Sequence, residues 1–233
     1  MSRFAPYVKP AAGPFRTTAQ ALAVILATTL ATSALTALTL AAALAAVHPA
    51  RAAEAAAEAP APLTALVIID IQDFYFPGGA LPLVAPEAAG ANAAKLLAQA
   101  RAHGKAVIHV GHNAKAGRAF HADVQPRDGE LVVMKDDVNA FLKTNLQTIL
   151  QSGGFRRLVV CGMQTHMCVE AATRAAADFG YEVLLAGDAC ATRDLQHGDV
   201  TVPAAQVHAT TLATLDRTYG KVVSMDEAMG ALQ

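Results

Sequence analysis

The chain has 233 residues, a formal net charge of −1, 54% hydrophobic residues and no tryptophan. That length suffices for one domain with a full core. The near-neutral charge implies neither nucleic acid nor an anionic membrane surface as a partner, and the sparse aromatics argue against a stacking platform for sugars or bases.

The first segment reads as an export signal. Arg3, Lys9 and Arg16 precede an uncharged Ala/Leu/Thr-rich stretch from Thr17 to Val47, and Ala50-Arg51-Ala52 supplies the small residues of a cleavage site. Residues 1–52 are therefore expected to be a Sec-type signal peptide, giving a periplasmic or secreted product. The other reading is an uncleaved anchor in the inner membrane, since about 20 apolar residues can span a bilayer. No paired arginine precedes the stretch, so a twin-arginine signal has no support. Residues 53–62, rich in Ala, Glu and Pro, read as a flexible linker, leaving residues 63–233 as the folded domain.

Within that domain six short apolar or β-branched runs recur: Ala65–Ile71, Ala106–Val110, Leu131–Met134, Leu158–Cys161, Val183–Ala186 and Lys221–Ser224. Between them, Glu87–His103, Asn139–Gln151, Thr165–Phe179 and Pro203–Tyr219 carry apolar residues at helical spacing. Gly104, Gly153 and Gly180 stand where C-terminal caps belong, and Pro203 suits a first helical turn. Continuous apolar strands alternating with helices predict a three-layer, doubly wound α/β sandwich around a six-stranded, mostly parallel sheet. Ligands in such folds bind beyond the carboxyl ends of the strands.

Three polar residues fall at those ends. Asp70 closes the first run, Lys135 the third, and Cys168 follows the fourth through Gly162-Met163-Gln164-Thr165-His166-Met167. That turn is expected to deliver Cys168 to the start of a helix, where unpaired N–H groups and the dipole favour a thiolate. A thiol, a carboxylate and an amine together suit attack on a carbonyl carbon. Cys168 is the nucleophile, Asp70 its proton acceptor and later the donor to a leaving amine, and Lys135 the electrostatic support. Backbone N–H groups of Gln164 and Cys168 are candidate oxyanion donors.

These motifs, with Asp70-Ile71-Gln72, Ala140-Phe141, Thr144, the run Asp188–Asp194 and the run Val202–His208, resemble the isochorismatase-like cysteine hydrolase family. That superfamily includes nicotinamidase, N-carbamoylsarcosine amidohydrolase and streptothricin hydrolase. The resemblance spans about Leu63 to Met229 and implies Asp70, Lys135 and Cys168 as a catalytic triad. It also implies a cis peptide between Met163 and Gln164 that turns the Gln164 amide toward the oxyanion, and a homo-oligomer, a dimer or larger.

The chain departs from nicotinamidases after the second strand. There His109-Val110-Gly111-His112-Asn113-Ala114 lacks the aspartate of their metal-binding Asp-x-His pair and has alanine for its histidine. No metal and no cofactor are expected. Retention of Cys168 favours C–N cleavage of a small amide, lactam or carbamoyl compound. A vinyl-ether hydrolase independent of the cysteine, and a binding protein that kept the fold, are the alternatives. Phe76, His112, Phe141 and His166 are candidates for the substrate pocket. His121, His197 and His208 suit structural hydrogen bonds. Cys161 and Cys190 read as buried small hydrophobes, with a disulfide between them neither required nor barred by their spacing.

Overall fold

The computed structural model describes residues 61–233. The expected signal segment and all but the last two residues of the expected linker lie outside the described residues. Among the described residues no helix is long and apolar enough to cross a membrane.

The sheet is built from β1 (Thr64–Ile69), β2 (Ala106–His112), β3 (Leu131–Lys135), β4 (Arg157–Met163), β5 (Glu182–Ala191) and β8 (Lys221–Val223). Its order is β3-β2-β1-β4-β5-β8. Every pairing is parallel, so the expected "mostly parallel" sheet is wholly so. Strand β1 lies at the centre and all six of its residues are buried, as a strand covered on both faces must be. Leu66 and Ile68 face the layer formed with α1 (Pro86–Ala102) and α5 (Met225–Ala231). Val67 and Ile69 face the opposite layer, which receives α2 (Leu146–Ser152), α3 (Glu170–Asp178) and α4 (Ala204–Leu215). Period-two alternation along one strand thereby feeds two separate cores.

The chain runs outward through β2 and β3, then returns to β4 on the other side of β1. The strand order therefore reverses between β1 and β4, opening a crevice at their carboxyl ends.

Four elements depart from the sequence reading, each for a local reason. The helix expected from Asn139 starts only at Leu146. Side chains divert the preceding backbone: Asn139 Oδ1 accepts the Phe141 N–H at 2.9 Å, and Thr144 Oγ1 accepts the Leu146 N–H at 3.2 Å. The helix expected from Thr165 opens instead with a π-helical turn, Thr165–Val169, before α3. A hairpin, β6 (Leu195–His197) with β7 (Val200–Val202), is additional, turned by Gly198-Asp199. Helix α5 is also additional; the Ser224 hydroxyl caps it by accepting the Glu227 N–H at 3.2 Å.

Candidate active site

Four strand ends converge at the crevice. Asp70 follows β1 with φ of 50°, a left-handed conformation that aspartate tolerates better than most residues, and its N–H donates to Val110 O at 2.8 Å. Beside it, β2 and β3 are in register at His112 and Lys135. Beyond β4, the Met163–Gln164 peptide is cis, and the π-helical turn carries Cys168. The Gln164 carbonyl accepts from Met167 N at 3.0 Å and Val169 N at 3.3 Å, which closes that turn around the cysteine.

Asp70, Lys135 and Cys168 form one buried cluster. Lys135 Nζ stands 2.8 Å from Asp70 Oδ2 and donates to Cys168 Sγ at 3.2 Å. The ammonium also reaches Asp137 O at 3.2 Å and His112 Nδ1 at 3.4 Å. Asp70 and Lys135 are withdrawn from solvent and Cys168 is only 4% exposed. Although close, the Asp70–Lys135 pair is poorly aligned for a hydrogen bond, so the carboxylate oxygens keep acceptor capacity.

Burial decides the ionisation of the cluster. Desolvation raises the Asp70 carboxyl above its ordinary range, against the opposing pull of Lys135. The Cys168 thiol is pushed up to about 12, first by desolvation and then by the Asp70 charge, with Lys135 working the other way. Burial thus opposes the thiolate that a helix start favours. Burial favours the thiol form of Cys168, with the Asp70 carboxyl in the same buried cluster.

Gln72 and Gln164 brace this cluster from either side. The buried Gln72 amide donates to His112 O at 3.1 Å and Arg118 O at 2.6 Å, while its oxygen accepts the His112 N–H at 2.7 Å. Gln164 donates to the Tyr75 hydroxyl at 3.3 Å and accepts from Arg193 Nε at 3.1 Å. Tyr75 and Arg193 are thereby joined to the cis-peptide residue. Tyr75, which no sequence motif singles out, is buried close enough that the charges of Cys168 and Asp70 bear on its phenol.

Of the pocket candidates, His112 stands against Lys135, as above. Phe141 is half-buried in the same core layer as Cys168, its ring 5.4 Å from that of Phe179. His166 bonds Thr192 Oγ1 through Nδ1 at 2.6 Å. Phe76 belongs to the α1 layer, where it stacks on the His121 ring at 3.6 Å, so its packing is with the other core. His208 bonds Thr165 Oγ1 at 2.9 Å, and His121 Nδ1 accepts the Asp123 N–H at 3.4 Å. Cys161 and Cys190 are buried free thiols, both raised by desolvation.

The residues do not fit the nicotinamidase metal. His109 is fully buried with Nε2 2.9 Å from Glu130 Oε2, an atom that Arg101 also engages at 2.9 Å. Ala114 offers no ligand atom, and among the described residues no group of three or more His, Cys, Asp or Glu is disposed to hold a metal ion.

The same architecture is found in known hydrolases. The crystal structure of an isochorismatase from Pseudomonas putida KT2440 superposes with a TM-score of 0.67 at 37% identity, covering 71% of this chain and 89% of that one. The uncharacterized isochorismatase family protein YddQ of Bacillus subtilis is 42% identical over 170 residues, 68% of this chain and 94% of that protein. Maleamate amidohydrolase of Pseudomonas putida is 30% identical over 195 residues, 72% of this chain and 86% of that protein. The doubly wound fold and its relatives thus define a hydrolase. The isochorismatase domain model matches residues 64–227, and the chain belongs to the isochorismatase family.

Proposed function

We propose that this enzyme is an exported cysteine hydrolase that cleaves the C–N bond of a small amide, lactam or carbamoyl compound through a covalent intermediate on Cys168. The observation that carries the reading is the buried contact of Cys168 with Lys135 and of Lys135 with Asp70 at the reversal point of the sheet. Similarity to an amidohydrolase supports the C–N class.

The contacts within the cluster support the following steps. Asp70 accepts the thiol proton as Cys168 Sγ attacks the carbonyl carbon, and Lys135 stabilises the developing thiolate. Backbone N–H groups of Gln164 and Cys168 receive the oxyanion; one such donor contributes about 3 kcal/mol to barrier lowering. Asp70 then returns its proton to the leaving nitrogen, the C–N bond breaks, and a thioester remains. Asp70 deprotonates the water that hydrolyses it, releasing the acid and restoring the thiol. Half-buried Phe141, His166 and His112 are the side chains we assign to the substrate pocket. The protein is placed in the periplasm or outside the cell by removal of residues 1–52, acts without a cofactor, and assembles as a homo-oligomer.

The test is turnover of an amide panel by the mature domain, with intact-mass detection of an acyl adduct on Cys168. Cys168→Ala is expected to abolish both adduct and turnover. Turnover that survives Cys168→Ala but needs Asp70 would overturn the covalent reading in favour of vinyl-ether chemistry.

A further inference from the structure

Arg193, Gln164 and Tyr75 form a chain in which every donor and acceptor is fixed by chemistry. An arginine Nε can only donate, so the Gln164 atom 3.1 Å from it is the amide oxygen. The amide nitrogen therefore faces Tyr75 Oη, at 3.3 Å, and it too can only donate. The phenol oxygen is the acceptor of that bond, which leaves the phenol hydrogen unspent. Among the described residues nothing accepts it: Asp70 Oδ1 and Oδ2 have no hydrogen-bond partner, and the bond at Cys168 Sγ comes from Lys135. Buried tyrosines usually pair their O–H, and this one is only 5% exposed.

The phenol is held in place before anything binds. Tyr75 N–H donates to Gln72 O at 3.0 Å, Tyr75 O accepts from Leu83 N at 2.9 Å, and the ring centroids of Tyr75 and Phe74 are 4.1 Å apart. Burial pushes the phenol up, so it keeps its hydrogen at neutral pH, and the charges of Cys168 and Asp70 bear on it.

We propose that Tyr75 is a further catalytic residue, whose phenol hydrogen is donated to the oxygen of the scissile carbonyl as Cys168 attacks. This rests on the reading of Cys168 as the nucleophile. Of the substrate's atoms, the carbonyl oxygen is the one that gains negative charge in that step. Tyr75 is fastened to the side chain of Gln164, the residue whose backbone N–H is assigned to the same oxygen. No proton is transferred: the phenol stays neutral, and its hydrogen bond strengthens as charge develops and relaxes when the C–N bond breaks. Arg193 acts at one remove. By setting the Gln164 amide it denies the phenol hydrogen an acceptor within the protein.

The probes p-nitrophenyl acetate and iodomethane separate this role from upkeep of the thiol. Both react at Cys168 Sγ, but only the ester develops an oxyanion. The rates of acetylation and methylation of Cys168, read by quenched-flow peptide mass spectrometry, are compared in the wild type, Tyr75→Phe and Gln164→Met. Tyr75→Phe is expected to be acetylated about 10²-fold more slowly and methylated at the wild-type rate. Gln164→Met breaks the same hydrogen bond from the other side and keeps the phenol hydrogen, so it should be acetylated faster than Tyr75→Phe. Acetylation of Tyr75→Phe at the wild-type rate, or a parallel fall in its methylation, overturns the inference alone. So does a Gln164→Met acetylation rate at or below that of Tyr75→Phe, which assigns the effect to the clamp on Gln164. A wild type acetylated no faster at Cys168 than at Cys161 and Cys190 overturns the nucleophile reading, and the inference with it.

Discussion

Gln72 grips the peptide groups on both sides of His112, its oxygen taking the N–H at 2.7 Å and its nitrogen giving to the C=O at 3.1 Å. A buried side chain two residues after Asp70 thus fixes the end of the neighbouring strand, and a third bond to Arg118 O pins the loop beyond it. Gln72→Leu keeps the volume and removes all three bonds. Unmet buried polar groups cost about 1–3 kcal/mol each, so denaturant unfolding should show a loss of at least about 2 kcal/mol. Turnover should fall further than stability alone explains, because His112 and Lys135 are in register.

Burial raises both Asp70 and Cys168, and the sign of the pH dependence follows. With the thiol pushed up to about 12, the productive form is thiol plus carboxylate. Activity should therefore increase with pH as Asp70 loses its proton, with a midpoint above the ordinary carboxylate range. Because the two groups are coupled, that midpoint belongs to the cluster and not to one residue. Asp70→Asn should eliminate this acidic limb and slow acylation by about 10²–10⁴-fold. A kcat/KM profile of the two proteins checks both outcomes.

Glu130 supplies an acid-sensitive element away from the cluster. A hydrogen bond from Arg101 is the main cause that holds its carboxyl down at about 2, against an ordinary value of 4.5. Its contribution to stability is present above about pH 4.5 and is lost as pH falls through the window toward about 2. His109, lowered by burial, adds to the same trend from about pH 6.5 downward, since the unfolded chain binds a proton that the folded one resists. Melting temperatures should therefore decline on acidification, and Glu130→Gln should flatten the part of the decline below pH 4.5.

Gly162 sits where β4 bends toward the cis peptide, with φ of 137°, and a Cβ there would stand 2.0 Å from Ile69 O. That neighbour is backbone of the central strand and cannot swing away. Gly162→Ala should destabilise the domain by about 3 kcal/mol or more, the upper end of overpacking costs. Calorimetry of the variant measures it directly.

Much of this was legible in the sequence because parallel strands buried on both faces are unbroken apolar runs. A charged residue ending such a run is conspicuous, and Asp70 and Lys135 were found for that reason. Tyr75 was not, because its link to the cluster passes through Gln164, 89 residues away, and nothing local encodes that bond. Two signals were present but short. Ser224-x-x-Glu227 marks a helix start, and Gly198-Asp199 between two three-residue strands marks a hairpin. The Asn139–Asn145 segment has helical spacing, yet Asn139 and Thr144 spend their side chains on local backbone bonds, which periodicity cannot reveal. The rise of the Cys168 thiol was not legible, because burial depth is a property of the finished fold.

The convergence of four strand ends has a kinetic meaning. Asp70, His112, Lys135 and Cys168 come from segments that meet only when β3, β2, β1 and β4 have aligned in register. A half-assembled chain has a cysteine but no neighbours to govern it. During refolding, Cys168 should pass from an ordinary exposed thiol to a shielded one as the sheet closes. Its reactivity is thus a built-in clock for long-range strand pairing, the slowest kind of contact for a chain to make.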